Sequence, residues 1–115
     1  MREKSLSYFR KYILKVFKAY EKTGVVPWTY DIAAKDMSYQ VGSLVKRIMQ
    51  YQNQRHAGGL SKKEIKAHIA DELADIFAEV LFIANELDID LEKAWADMII
   101  SDKKKISTRS KKAKK

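Results

Sequence analysis

The sequence predicts an all-α fold, an antiparallel four-helix bundle, and three observations lead there. Apolar residues make up 46% of the chain, enough for a folded globule with one modest core. Pro27 is the single proline, and glycine stands only at 24, 42, 58 and 59, so little interrupts a helix. Four segments then place apolar residues at three- and four-residue spacing, the period of an amphipathic helix.

Leu6, Phe9, Ile13, Val16, Phe17 and Tyr20 mark the first helix, over about residues 3–22. Its other face is rich in lysine, as on the solvated side of a core helix or on a membrane- or target-binding helix. Thr23-Gly24 ends it, and Pro27 keeps the next residues extended. A second helix is expected over about 37–56, after a short turn at 30–34, with Asp36 as its N-cap. Met37, Val41, Leu44, Ile48 and Tyr51 form its apolar stripe. Ala57-Gly58-Gly59 breaks the chain. The third helix begins at Ser61-Lys62-Lys63-Glu64, a capping box, and should run to about Leu87 with a wide apolar face from Ile65 to Leu87. Asp90 can cap a fourth helix from Leu91 to about Lys105, with Ala94, Trp95, Met98 and Ile99 facing inward.

Residues 1–105 are expected to form one helical domain, and 106–115 a disordered basic tail. The net charge of +8 is unevenly placed. Residues 103–115 hold eight basic groups and no acid, which leaves fifteen basic against fifteen acidic groups in 1–102. Such a tail suits nonspecific, salt-sensitive contact with nucleic acid or anionic lipid, or solubility alone. Cysteine is absent, which excludes a disulfide framework or a thiolate metal site and fits a reducing compartment. Met1 to Lys18 lacks the apolar core of a signal peptide. No run approaches the ~18 apolar residues of a membrane span. A cytoplasmic protein without a membrane partner is the expectation.

The residues with chemical potential lie on the third helix. His68, Glu72, Asp75 and Glu79 fall at spacings of four, three and four and project in nearly one direction beside the apolar face. Two carboxylates one turn apart, Glu72 and Asp75, repel unless a cation or basic group lies between them. Oxygen ligands of this kind suit Mg²⁺ or Mn²⁺; acids near a helix start also complement the dipole or face water. His68 reads as a surface or boundary residue.

Glu72-Leu73-Ala74-Asp75-Ile76-Phe77, followed by Leu87-Asp88-Ile89-Asp90-Leu91-Glu92-Lys93-Ala94, resembles the second motif helix and following turn of the MazG-like nucleotide pyrophosphohydrolases. Gln40-Val41-Gly42-Ser43-Leu44 resembles the family's first motif, and the glycine suggests close helix approach. The resemblance covers roughly residues 28–109. It implies an all-helical protein, a homodimer or homotetramer with bundles completed between subunits. It implies Mg²⁺-dependent hydrolysis of nucleoside triphosphates to monophosphate and pyrophosphate. Carried over, Glu72 and Asp75 match the second pair of metal ligands, and Glu79 is a further candidate ligand.

The first motif departs from the pattern, because Tyr39, Gln40 and Ser43 stand where it has glutamates, and Arg47 adds a cation one turn on. Gln40, Ser43 and Arg47 are therefore candidate substrate contacts rather than ligands. Glu79, or Asp31 and Asp36 beside the second helix, can compensate if the fold brings them in. Lys103 and Lys104 occupy the stretch from which the family approaches phosphate, and Trp28 can stack on a base. The loss of acids equally suits a non-catalytic nucleotide-binding or oligomeric interaction protein that keeps the fold.

Overall fold

Helix ends in this chain follow from which side chains can serve the orphan backbone groups. The computed structural model describes residues 3–113. It contains α1 (Leu6–Glu21), α2 (Tyr30–Tyr51), α3 (Lys62–Glu86) and α4 (Leu91–Ala113), with no strand among the described residues. The all-α class and the four helices are as the sequence predicts.

The Ser5 hydroxyl accepts from the Tyr8 amide at 3.2 Å and starts α1. Helix α2 starts seven residues earlier than expected. The Thr29 hydroxyl accepts from the Ile32 amide at 3.2 Å, so Thr29 is the N-cap, and Asp31 lies in the positive first turn. No proline or glycine between 30 and 36 opposes that extension. Asp36 is therefore not a cap but an interior helical residue, which frees its carboxylate to face a neighbouring helix. Ser61 and Glu64 form the reciprocal capping box as predicted, and Asp90 accepts from the Lys93 amide at the start of α4. Helices α2 and α3 each end at a residue in the left-handed region, Asn53 at φ 61° and Asp88 at φ 52°. Beyond each, an amide reaches back five residues, Gln54 to Met49 and Ile89 to Ala84, both at 2.8 Å.

Helices α2 and α3 are antiparallel. Ser43 faces Glu72, and at the loop end the Lys62 ammonium donates to the Tyr51 carbonyl and to Asn53 Oδ1. Buried Gln50 staples that loop by donating to the His56 carbonyl at 3.1 Å. Helix α1 lies across α3 through aromatic contacts, Phe9 on Phe77 and Phe17 on Phe82, with ring centroids 5.5 and 4.5 Å apart. Ala33, Ile65, Leu81, Phe82 and Ala84 make the buried apolar core.

The expected inward face of α4 is not inward in the single chain. Helix α4 buries no residue, and Trp95 is 62% exposed. The radius of gyration, 18.5 Å, exceeds the ~13–14 Å of a compact domain of this length, as a projecting helix requires. The helix also continues through 106–113, where a disordered tail was expected. Ile106 to Ala113 contains no glycine or proline, and Lys111 and Lys112 suit the negative pole of the dipole. Lys114 and Lys115 lie outside the described residues. Gly42 is not at a close approach either: a Cβ there would meet nothing within 4 Å. No described helix is long and apolar enough to cross a membrane.

The capping box yields a direct test. Ser61→Ala should lower unfolding free energy by about 1 kcal/mol, measured by urea denaturation, while Ser38→Ala on the exposed side of α2 should leave it within about 0.5 kcal/mol.

Candidate functional site

Antiparallel pairing of α2 and α3 sets two polar stripes against each other. The hydroxyl of Ser43 donates to Glu72 Oε1 at 2.7 Å. Nearer the start of α2, Gln40 donates to Asp36 Oδ2 at 3.4 Å. Across from them, Asp75 and Glu79 continue the acidic stripe of α3 and face Asp36. The i, i+3, i+4 spacing on α3 and the i, i+4 spacing on α2 place every one of these groups on the facing side of its helix. Asp36, Gln40, Asp75 and Glu79 thus form one wall of a cleft.

The opposite wall comes from α1 and the segment after it. Ile13, Val16, Phe17 and Tyr20 line the cleft, together with Trp28. The Trp28 ring lies against Phe17 at 5.5 Å between centroids. An apolar wall facing carboxylates withdraws water from them, and the effect is visible in their proton affinity. Glu79, only 3% exposed, has its pKa raised from 4.5 to about 7, first by burial, then by a hydrogen bond with Asp36 and the negative charges of Asp36 and Asp75. The Glu79 carboxyl thus holds its proton to about pH 7, well above an ordinary glutamate. Asp75 is also raised, by burial first and then by the charges of Asp71, Glu72 and Asp36.

Two buried oxygens have no hydrogen-bond partner, Glu72 Oε2 and Glu79 Oε2. An orphaned buried carboxylate oxygen costs free energy unless a proton, donor or cation meets it. Among the described residues no group of three or more His, Asp or Glu side chains converges with metal-holding geometry. The carboxylates share the cleft without meeting at one point, which is the arrangement mutual repulsion favours.

The remaining candidates divide. Arg47 donates through Nη1 to Gln50 Oε1 at 3.2 Å, its Nε is buried without a partner, and it forms no ion pair with the carboxylates. Asp31 is exposed and pairs with Lys35 at 2.9 Å, so it takes no part. His68 is exposed on α3, and Lys103 and Lys104 are exposed on α4, which leaves the other three helices. Phe17 and Tyr20 carry no sequence signal for a site, since they read only as part of a core stripe. Asp36 reads from the sequence as a helix cap and, with Asp31 and Glu79, as one of three substitutes for the missing acids. The description of the family whose model matches residues 41–113 is the MazG nucleotide pyrophosphohydrolase domain. No curated protein and no solved structure matches the chain. Glu72, Asp75, Glu79 and Ser43 lie inside the matched span, whereas Asp36, Trp28 and all of α1 precede it.

The raised Glu79 pKa carries a signed pH dependence. The unfolded chain releases this proton near 4.5 and the folded chain near 7, so its contribution is fully present below 4.5 and is lost as pH rises through 7. In chelator-containing buffer, Glu79→Gln should match wild-type Tm at pH 4 and exceed it at pH 8. Parallel Tm profiles for the two proteins would show that the buried proton has no energetic weight.

Proposed function

We propose that this chain, which belongs to the MazG nucleotide pyrophosphohydrolase domain family, hydrolyses nucleoside triphosphates to monophosphates and pyrophosphate in the cleft between α1 and the α2–α3 pair. The observation that carries this reading is the set of four carboxyl groups at the α2–α3 seam, with Asp36 entering where the first motif lacks acid.

Oxygen-only donors, two of them buried and orphaned at Glu72 and Glu79, fit a hard divalent cation. Glu72, Asp75 and Glu79, with Asp36 opposite, are the residues to hold Mg²⁺ or Mn²⁺. Bound there, the ion supplies charge neutralisation for the triphosphate and lowers the pKa of water. The chain's own groups do the rest. Ser43 holds the Glu72 carboxylate in one orientation through its 2.7 Å bond. Glu79, with its pKa raised to about 7 beside Asp36, can give up or take back a proton near neutral pH beside the substrate. Phe17, Tyr20 and Trp28 exclude water and offer ring faces to a nucleobase. Gln40 and Ser43, which replace acids of the family pattern, offer neutral hydrogen-bonding groups to the nucleotide.

A second copy of the chain belongs to this reading. Trp95, Met98 and Ile106 on α4 are exposed at 62, 44 and 66%, and no helix of the same chain covers them. A homodimer or homotetramer would cover that stripe and would be the means of bringing Lys103 and Lys104 to a cleft. The rival reading is a nucleotide-binding protein without turnover. It is favoured by Tyr39, Gln40 and Ser43 in place of acids, and by the Ser43 hydroxyl occupying Glu72 Oε1.

Incubation with canonical and modified nucleoside triphosphates and Mg²⁺ or Mn²⁺, with assay of monophosphate and pyrophosphate, separates the two. Turnover should vanish in Asp75→Ala and fall about 10- to 100-fold in Asp36→Asn. Absence of turnover across the panel, with nucleotide binding indifferent to Asp75→Ala, supports the rival. For assembly, sedimentation should give a multimer that Trp95→Asp converts to monomer; a monomeric wild type rules the second copy out.

A further inference from the structure

The outward face of α1 carries a feature that the cleft does not use. At about 100° per residue, Lys11, Lys15, Lys18 and Lys22 fall within an arc of roughly 60°. Lys4 joins them by folding back over the Tyr8 ring, with its ammonium 4.8 Å from the centroid. All five are exposed, and none has a carboxylate partner among the described residues, where the ion pairs are Lys35–Asp31 and Lys93–Asp97. No acid shares the arc. Tyr8 and Tyr12 flank it, 42% and 61% exposed, with their rings 5.9 Å apart.

A face that only keeps a helix soluble has no need of one sign of charge along its length. Nor does it need two large rings held in water beside that charge. Positive groups tracking a backbone, with aromatic faces beside them, are what an unpaired polynucleotide strand binds. Two alternatives fit less well. A helix that lies in a bilayer surface inserts its apolar face, but that face of α1 is engaged with Phe77 and Phe82 of α3. Duplex nucleic acid hides its base faces, so it would use the lysines and leave Tyr8 and Tyr12 idle. The sixteen-residue helix offers a ridge about 24 Å long.

We infer that the outer face of α1, Lys4, Lys11, Lys15, Lys18 and Lys22 with Tyr8 and Tyr12, binds single-stranded nucleic acid without sequence preference. The surface is separate from the basic end of α4 and from the cleft. Phosphates lie along the lysines, and two bases stack on the tyrosines.

Fluorescence anisotropy of a labelled oligothymidylate, titrated with full-length protein at several salt concentrations, tests this. The triple variant Lys11→Gln, Lys15→Gln, Lys18→Gln should reduce the slope of log K against log salt by about 2. Tyr12→Ala should weaken the single strand by about fivefold or more and leave a duplex of the same length unchanged. All substituted positions are exposed, and unchanged thermal unfolding confirms that each variant is folded. Three results overturn the inference. One is no binding at low salt. Another is wild-type binding by the α1 triple variant while Lys104→Gln, Lys105→Gln, Arg109→Gln abolishes it, which places the contact on α4. The third is preference for vesicles containing phosphatidylserine over the oligonucleotide, lost in the α1 triple variant, which makes the ridge a lipid-headgroup surface.

Discussion

Glu79 points into the seam between α2 and α3 and meets Asp36 there, with Asp75 one turn away. Burial of Glu79 and the negative charges of Asp36 and Asp75 beside it make its ionisation costly. Glu79 therefore gives up its proton near pH 7 rather than in the ordinary carboxylate range. That arrangement depends on both sides of the cleft. The antiparallel pairing aligns the stripes, and apolar side chains of α1 line the cleft opposite them.

Much of α3 was legible because its signals are local. Ser61 and Glu64 serve each other's backbone groups three residues apart, and the spacing of Glu72, Asp75 and Glu79 places them on one face whatever surrounds the helix. The start of α2 was harder. Thr29 and Asp36 are both good cap residues, and only the preference of residues 30–35 for helix once Thr29 is fixed decides between them. The choice matters beyond the boundary, because a capping Asp36 would spend its carboxylate on backbone amides. Apolar stripes misled in a different manner. Trp95, Met98 and Ile99 are periodic, but periodicity records that a face wants cover, not that its own chain supplies it. Gly42 is similar, since its missing side chain faces open space within one chain.

Charge in this molecule is sorted by helix rather than balanced locally. Residues 1–102 are formally neutral, yet α1 presents lysine outward while the facing stripes of α2 and α3 present acid to the cleft. Helix α1 therefore separates two environments of opposite sign across its own width. Its apolar face lowers the effective dielectric on the acidic side, and its lysines are hydrated on the other.

The two walls of the cleft come from stretches of chain with different ties to the rest of the protein. The carboxylate wall is built mostly from α3, whose residues are also needed for the core at Ile65, Leu81 and Phe82. The aromatic wall is built from α1, which precedes the family-matched span and has no fully buried residue. Val16, Tyr20 and Trp28 thus line the cleft without belonging to the buried core. The outline of the cleft can therefore be redrawn from one side, through side chains on which the buried core does not rest.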